Sequence, residues 1–194
     1  TLPRREMRAG YGEIVKYGLI GDAGFFEWLE AEGESVCDLD PTALTRAVMT
    51  SCRMKADIVA RDERETGDRI LLNFGHTFGH ALEAETGFGD ALLHGEAVAL
   101  GMVLAFDFAV KLGLAAGQDA HRVRRHIAGS GLPTSLAEIG LSGAAADRLI
   151  AHMGRDKKVR DGRITLILPC RIGEVSVMRN APAESLLEFL SSVA

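Results

Sequence analysis

Along most of the chain, hydrophobic residues recur at helical rather than strand spacing. From Glu6 to Leu19 they line one face of an amphipathic helix, which Gly21-Asp22-Ala23-Gly24 breaks. A short helix follows through Phe25, Phe26, Trp28 and Leu29 and ends near Gly33. Asp40-Pro41 is a strong start signal, because Asp accepts from the free amides of a first turn and Pro has no amide to lose at the first helical position. From there Leu44, Ala47, Val48, Ser51, Lys55, Ile58, Val59 and Asp62 step at helical spacing, giving a helix to about Glu65. Leu71-Leu72-Asn73-Phe74-Gly75 leads into another that runs to about Glu85 and stops at Gly87. Gly95 to Leu112 is apolar almost all round, the signature of a buried central helix. Gly113 stands just past its end, with Lys111 near the negative end of the helix dipole. Further helices are predicted at 117–128 and 143–153, separated by the loop Gly129-Ser130-Gly131-Leu132-Pro133. The period then changes. Ile164, Leu166 and Leu168 alternate with Thr165 and Ile167, and Val175 and Val177 alternate after Gly173, which predicts a hairpin of 163–168 and 174–178. Pro182 opens a last helix through Leu186, Leu187, Phe189 and Leu190. The fold class is mainly α with one small β-hairpin near 163–178, without repeats or low-complexity tracts.

Composition narrows the function classes. The 194 residues are 47% hydrophobic and 25% charged, values of a globular chain forming one domain or at most two small ones. A net charge of −5 argues against nucleic-acid binding driven by phosphate attraction. The longest apolar run, Ala97 to Phe106, stops at Asp107, well short of the roughly 18 residues of a membrane span. Glu13 and Lys16 stand where a signal peptide would be apolar. Cys37, Cys52 and Cys170 are an odd number, widely spaced and without a CxxC pair, so they read as reduced thiols. The expectation is a cytoplasmic protein without nucleic-acid or membrane partners. The chain opens on Thr1-Leu2-Pro3-Arg4-Arg5, which reads as the middle of a longer protein.

Histidines concentrate the candidate chemistry. Three of the six fall between positions 76 and 94, among glycines. His76 and His80 are one helical turn apart and project from the same face, a familiar way to hold zinc, while His94 precedes the buried helix. Gly75 and Gly79, beside the first two, would let backbone or a ligand approach closely. The acid of HExxH is missing, so a zinc protease is not indicated. A catalytic zinc commonly takes two histidines and a carboxylate. Glu13, Glu83 and Glu96 are all candidates for that carboxylate, and spacing alone favours a simple surface pair between Glu13 and Lys16. Lys55 shares a helical face with Val48, Ser51 and Ile58, where a charge either snorkels or points into a polar cavity. The charged run Arg61 to Arg69 reads as a solvated helix end. Lys16, Lys55, Arg69 and one of Lys157 or Lys158 gathered around the histidines would select a small anion carrying phosphate and carboxylate groups.

The segments Glu13-Ile14-Val15-Lys16-Tyr17-Gly18, Lys55-Ala56-Asp57-Ile58-Val59, Asp62-Glu63-Arg64-Glu65 with Gly67 and Arg69, Leu72 to Ala81, His94-Gly95-Glu96 and Asp156-Lys157-Lys158 resemble 3-dehydroquinate synthase in order and spacing. The resemblance covers essentially the whole chain, residues 1–194, but only the helical, metal- and substrate-binding C-terminal half of the family. The family's N-terminal, Rossmann-like NAD-binding half is absent, and no GxGxxG fingerprint occurs. The resemblance implies the shikimate-pathway lyase that turns 3-deoxy-D-arabino-heptulosonate 7-phosphate into 3-dehydroquinate and phosphate. It uses zinc, or cobalt, and an NAD⁺ regenerated each turnover and bound mainly by the missing half. Carried over by residue, Glu13, His76 and His94 are implied metal ligands. Lys16 and His80 take catalytic positions, and Lys55, Arg69, Asn73, Lys157 and Lys158 bind substrate. The family is commonly dimeric, and the chain by itself is expected to be inactive. Alternatives are another sugar-phosphate cyclase, a metal-dependent polyol dehydrogenase relative, and a non-catalytic zinc-binding helical domain.

Overall fold

The computed structural model describes residues 2–64, 67–142, 145–155 and 164–193. Among them run α1 (Arg4–Gly21), α2 (Ala23–Cys37), α3 (Pro41–Arg61), α4 (His76–Glu85), α5 (His94–Lys111), α6 (Gly117–Gly129), α7 (Ala146–Arg155), β1 (Leu166–Arg171), β2 (Glu174–Met178) and α8 (Ala183–Ser192). Short 3-10 helices occupy Asp68–Asn73 and Ala137–Ile139. The mainly helical fold with one antiparallel hairpin is the one that the hydrophobic pattern predicts.

The central helix is α5, buried on every side from Gly95 to Phe106, with α1, α4, α6, α8 and β1 packed around it. Its end is a Schellman closure. Gly113, at φ +72°, lets its own amide reach Val110 O at 3.0 Å and that of Leu114 reach Ala109 O at 2.8 Å. Two crossings set how closely α1 and α4 approach this helix. A Cβ on Gly95 would lie 1.9 Å from Ala9 O of α1, and one on Gly101 would lie 2.1 Å from Gly75 O at the start of α4. Only glycine permits backbone contact at both places. The glycines beside the histidines thus admit neighbouring backbone: a Cβ on Gly79 would meet Ala97 O at 3.2 Å.

Several boundaries differ from the sequence reading for identifiable reasons. The break after α1 contracts to Asp22 alone, whose carboxylate accepts from Phe25 N at 2.8 Å and starts α2 at once. Helix α2 continues to Cys37 because Gly33 is a packing glycine rather than a stop: a Cβ there would fall 2.2 Å from Tyr11 Oη. Asp40 caps α3 as expected, accepting from Thr42 N and Ala43 N at 3.0 and 2.8 Å. That helix ends at Arg61, and Glu65 lies outside the described residues. Asp62 is buried and accepts from Gly67 N and Arg69 N at 2.8 and 3.0 Å, tying the chain back at this residue, while Arg61, Glu63, Arg64, Gly67 and Asp68 are exposed, as expected of a solvated helix end.

Strand β1 begins at Leu166 and extends to Arg171, later than the pattern predicts, with Arg163 outside the described residues. Leu166 to Pro169 are buried on both faces between α5 and α1, which erases the expected alternation. The hairpin turn docks on α1, with Gly173 N donating to Leu19 O at 3.1 Å. Cys37, Cys52 and Cys170 are free. No helix among the described residues is long and apolar enough to cross a membrane.

Candidate active site

Three helices meet at one point, and each brings one candidate ligand beside a glycine that permits the approach. Glu13 on α1 follows Gly12, whose Cβ would stand 2.8 Å from Gly95 O. His76 opens α4 after Gly75, and His94 opens α5 before Gly95. The Nε2 atoms of His76 and His94 lie 3.6 and 3.7 Å from the same carboxylate oxygen, Glu13 Oε1. That oxygen is buried and accepts no hydrogen bond. The other oxygen of Glu13 accepts from Lys16 Nζ at 2.6 Å, on a lysine only 4% exposed. Glu13 therefore serves both readings its spacing left open, pairing with Lys16 through one oxygen and facing the imidazoles through the other.

Electrostatics prepares these groups for a cation. Burial pushes the Glu13 carboxyl up, but the adjacent Lys16 ammonium, through its charge and its hydrogen bond, outweighs it and holds the group below its ordinary range. His76 is lowered to about 4, first by burial and then by the Lys16 charge, so it is neutral at pH 7. Its Nδ1 lies 3.1 Å from Phe74 O, and His94 Nδ1 lies 3.2 Å from both oxygens of Glu83. Each partner is an acceptor, so each Nδ1 carries the proton and each Nε2 presents a lone pair toward Glu13. Ligands about 2.1 Å from a tetrahedral zinc stand roughly 3.4 Å apart, close to the separations seen here. An orphaned buried oxygen faced by two lone pairs fits a divalent cation.

The remaining carboxylates go elsewhere. Glu96 is taken by Arg5, whose Nε and Nη2 donate at 2.6 and 2.7 Å, and by Leu93 N at 2.8 Å. Arg5 also donates to Asp90 O at 2.7 Å and Ala91 O at 3.1 Å, pinning the loop that delivers His94. This pin escapes sequence reading because Arg5 and Glu96 are far apart in the chain. Glu83, His80 and His94 form a second, more exposed group of ligand-type atoms.

A cleft of about 300 Å³ opens over Glu13, His76 and His94, lined also by Lys16, Tyr17, Lys55, Arg69, Leu72 and Asn73. Tyr17 and Leu72 lie within the segments that carry the family resemblance but are not among the site residues it implies. Lys55 is exposed at its rim, and Val48, assigned to the same face, is 43% exposed while Ser51 and Ile58 are buried. Lys55 thus bears no burial cost. Arg69 reaches Glu63 O at 3.1 Å from the turn that Asp62 organises. His80 is exposed and borders a small adjoining pocket with Asn73, His76, Thr77 and Thr165 instead of the main cleft. Lys157 and Lys158 lie outside the described residues.

The family model described as 3-dehydroquinate synthase C-terminal matches residues 10–159. The chain belongs to the 3-dehydroquinate synthase family. It is 54% identical over 190 residues to the 3-dehydroquinate synthase of Caulobacter vibrioides, and 56% identical over 191 residues to that of Rhodospirillum rubrum. These alignments cover 98% of this chain but 51% and 50% of the relatives, so the chain spans about half the length of the curated 3-dehydroquinate synthases it matches. Among solved structures it resembles 2-epi-5-epi-valiolone synthase from Streptomyces hygroscopicus, with NAD⁺ and Zn²⁺ bound. The TM-score is 0.85 at 28% identity, covering 100% of this chain and 52% of that one. It shares the fold of 2-deoxy-scyllo-inosose synthase complexed with carbaglucose-6-phosphate, NAD⁺ and Co²⁺, with a TM-score of 0.78 at 21% identity, covering 99% of this chain and 52% of that one.

Proposed function

We propose that the chain is the metal- and substrate-binding half of a 3-dehydroquinate synthase. That enzyme is the lyase converting 3-deoxy-D-arabino-heptulosonate 7-phosphate to 3-dehydroquinate and phosphate. One observation carries the reading: a buried, unpartnered Glu13 oxygen faced by two histidine nitrogens, at the floor of a cleft lined by Lys16, Lys55 and Arg69. The identity to relatives of that name supports this substrate over those of other cyclases.

Glu13, His76 and His94 would hold Zn²⁺ or Co²⁺, which when bound supplies Lewis acidity and a template for adjacent hydroxyls. Lys16, its ammonium against Glu13, keeps that carboxylate ionised and stands beside the position of the reacting hydroxyls. Lys55 and Arg69 at the cleft rim orient the anionic substrate, and Asn73 and His80 extend the anion-binding surface toward the adjoining pocket. NAD⁺ is bound mainly by the part of the enzyme that precedes this chain, so the isolated chain is inactive.

The test has two stages. Elemental analysis of the purified chain should find about one zinc per chain, lost in His76→Ala. Activity should then appear only when the chain is joined to a family NAD-binding half. A second reading, another sugar-phosphate cyclase, rests on the likeness to 2-epi-5-epi-valiolone synthase. Turnover of a sugar phosphate lacking the carboxylate, in preference to the heptulosonate phosphate, would favour it.

A further inference from the structure

We infer that Glu83 is a positioning residue that fixes the His94 ring with Nε2 toward the cation. His94 is the first residue of α5, and its side chain is 49% exposed, so packing alone does not hold the ring. His76, by contrast, is 14% exposed and fastened by the Phe74 carbonyl. The acceptors holding His94 come from Glu83, two turns along α4 from His76, with both carboxylate oxygens 3.2 Å from Nδ1. Glu83 is itself only 15% exposed, which limits competition from water.

This hydrogen bond does two things. It keeps the proton on Nδ1, leaving the lone pair on Nε2, where Glu13 and His76 already converge. It also makes the imidazole a stronger donor, because a carboxylate accepting from one ring nitrogen raises electron density at the other. Removing it lets the ring turn about its side-chain torsions and present either nitrogen. The inference rests on the metal reading proposed above. It assigns Glu83 to orienting a ligand, although Glu83, His80 and His94 Nδ1 would themselves make a ligand set.

Zinc affinity of the protein, measured by competition with a chromophoric chelator, tests this together with the visible spectrum of the Co²⁺-loaded form. Glu83→Ala should weaken zinc binding about 10- to 100-fold while keeping one metal per chain and the parent cobalt spectrum, since the donor set is unchanged. Glu83→Gln keeps an acceptor for Nδ1–H without the charge and should fall between parent and Glu83→Ala. Unchanged affinity in both variants overturns the assignment, as does a lowered melting temperature of the metal-free protein without loss of affinity. A cobalt spectrum altered in both variants, or a metal count falling from two to one, makes Glu83 a ligand and also overturns it. His76→Ala separates the two levels. If it keeps its zinc, the metal reading fails and the Glu83 role with it. If it loses zinc while Glu83→Ala binds normally, only the Glu83 role fails.

Discussion

Gly95 of α5 lies against Ala9 of α1 so closely that a Cβ on Gly95 would come within 1.9 Å of the Ala9 carbonyl oxygen. This contact brings the first turn of α5, carrying His94, against the segment of α1 that carries Glu13. Gly95→Ala must push the two helices apart, and neither backbone can yield the way a side chain tip can. The expected cost is about 3 kcal/mol or more, at the upper end for overpacked cores. Urea unfolding should show that loss, and zinc content should fall with it. Parent-like stability and parent-like zinc would mean that the crossing is looser than described.

Arg5 clamps Glu96 and two carbonyls of the loop before His94. Arg5→Ala leaves the buried Glu96 carboxylate with only Leu93 N as a donor. Half of the Arg5 side chain is exposed, so solvent screening limits the stability loss to about 1 kcal/mol. The larger effect should be local. Amide hydrogen exchange should quicken across residues 89–94 and stay at parent rates in α6. Uniform exchange across the chain would refute a local clamp.

His76 should titrate far from an ordinary histidine. In the metal-free protein an NMR titration should place its pKa at about 4, lowered by burial and by Lys16. A neutral imidazole at pH 6 has no proton to give up when a cation arrives. Replacing Lys16 with Met removes the nearby positive charge and should move the His76 pKa upward. A His76 that titrates near 6.5 in the parent would contradict the burial seen here.

A second half-buried histidine makes a separate prediction about stability. His126 of α6 sits with Nε2 2.9 Å from Tyr11 Oη and its ring edge-on to Phe26 at 5.3 Å. Burial lowers its pKa, Glu30 opposing and Arg125 adding to the effect. A folded-state pKa below the unfolded one means that the unfolded chain binds more protons. Its contribution is therefore fully present above about pH 6.5 and drains as pH falls from there toward the folded value. Comparing urea midpoints at pH 7.5 and 5.5 should show a larger acid loss in the parent than in His126→Gln. Equal losses would place the acid sensitivity elsewhere.

Much of this was legible in residue order because it is local. Asp40-Pro41 starts α3 through hydrogen bonds within one turn, and Gly113 ends α5 through its own φ. The all-apolar stretch of α5 announces a central helix wherever its neighbours come from. The family, too, was legible, since the Leu72–Ala81 and His94–Glu96 segments are contiguous. What spacing could not separate were Glu13, Glu83 and Glu96 as partners of the histidines. Those three carboxylates differ in what lies opposite them across helix crossings: the imidazoles of His76 and His94 for Glu13, His94 Nδ1 for Glu83, Arg5 for Glu96. Gly33 misled for the same reason, being small to admit Tyr11 from another helix rather than to end its own. Sequence by itself determined the helices, their caps and the kinship, which depend on neighbours along the chain. Tertiary structure decided which charges meet, because that depends on backbone approach at Gly12, Gly75 and Gly95 between helices distant in sequence.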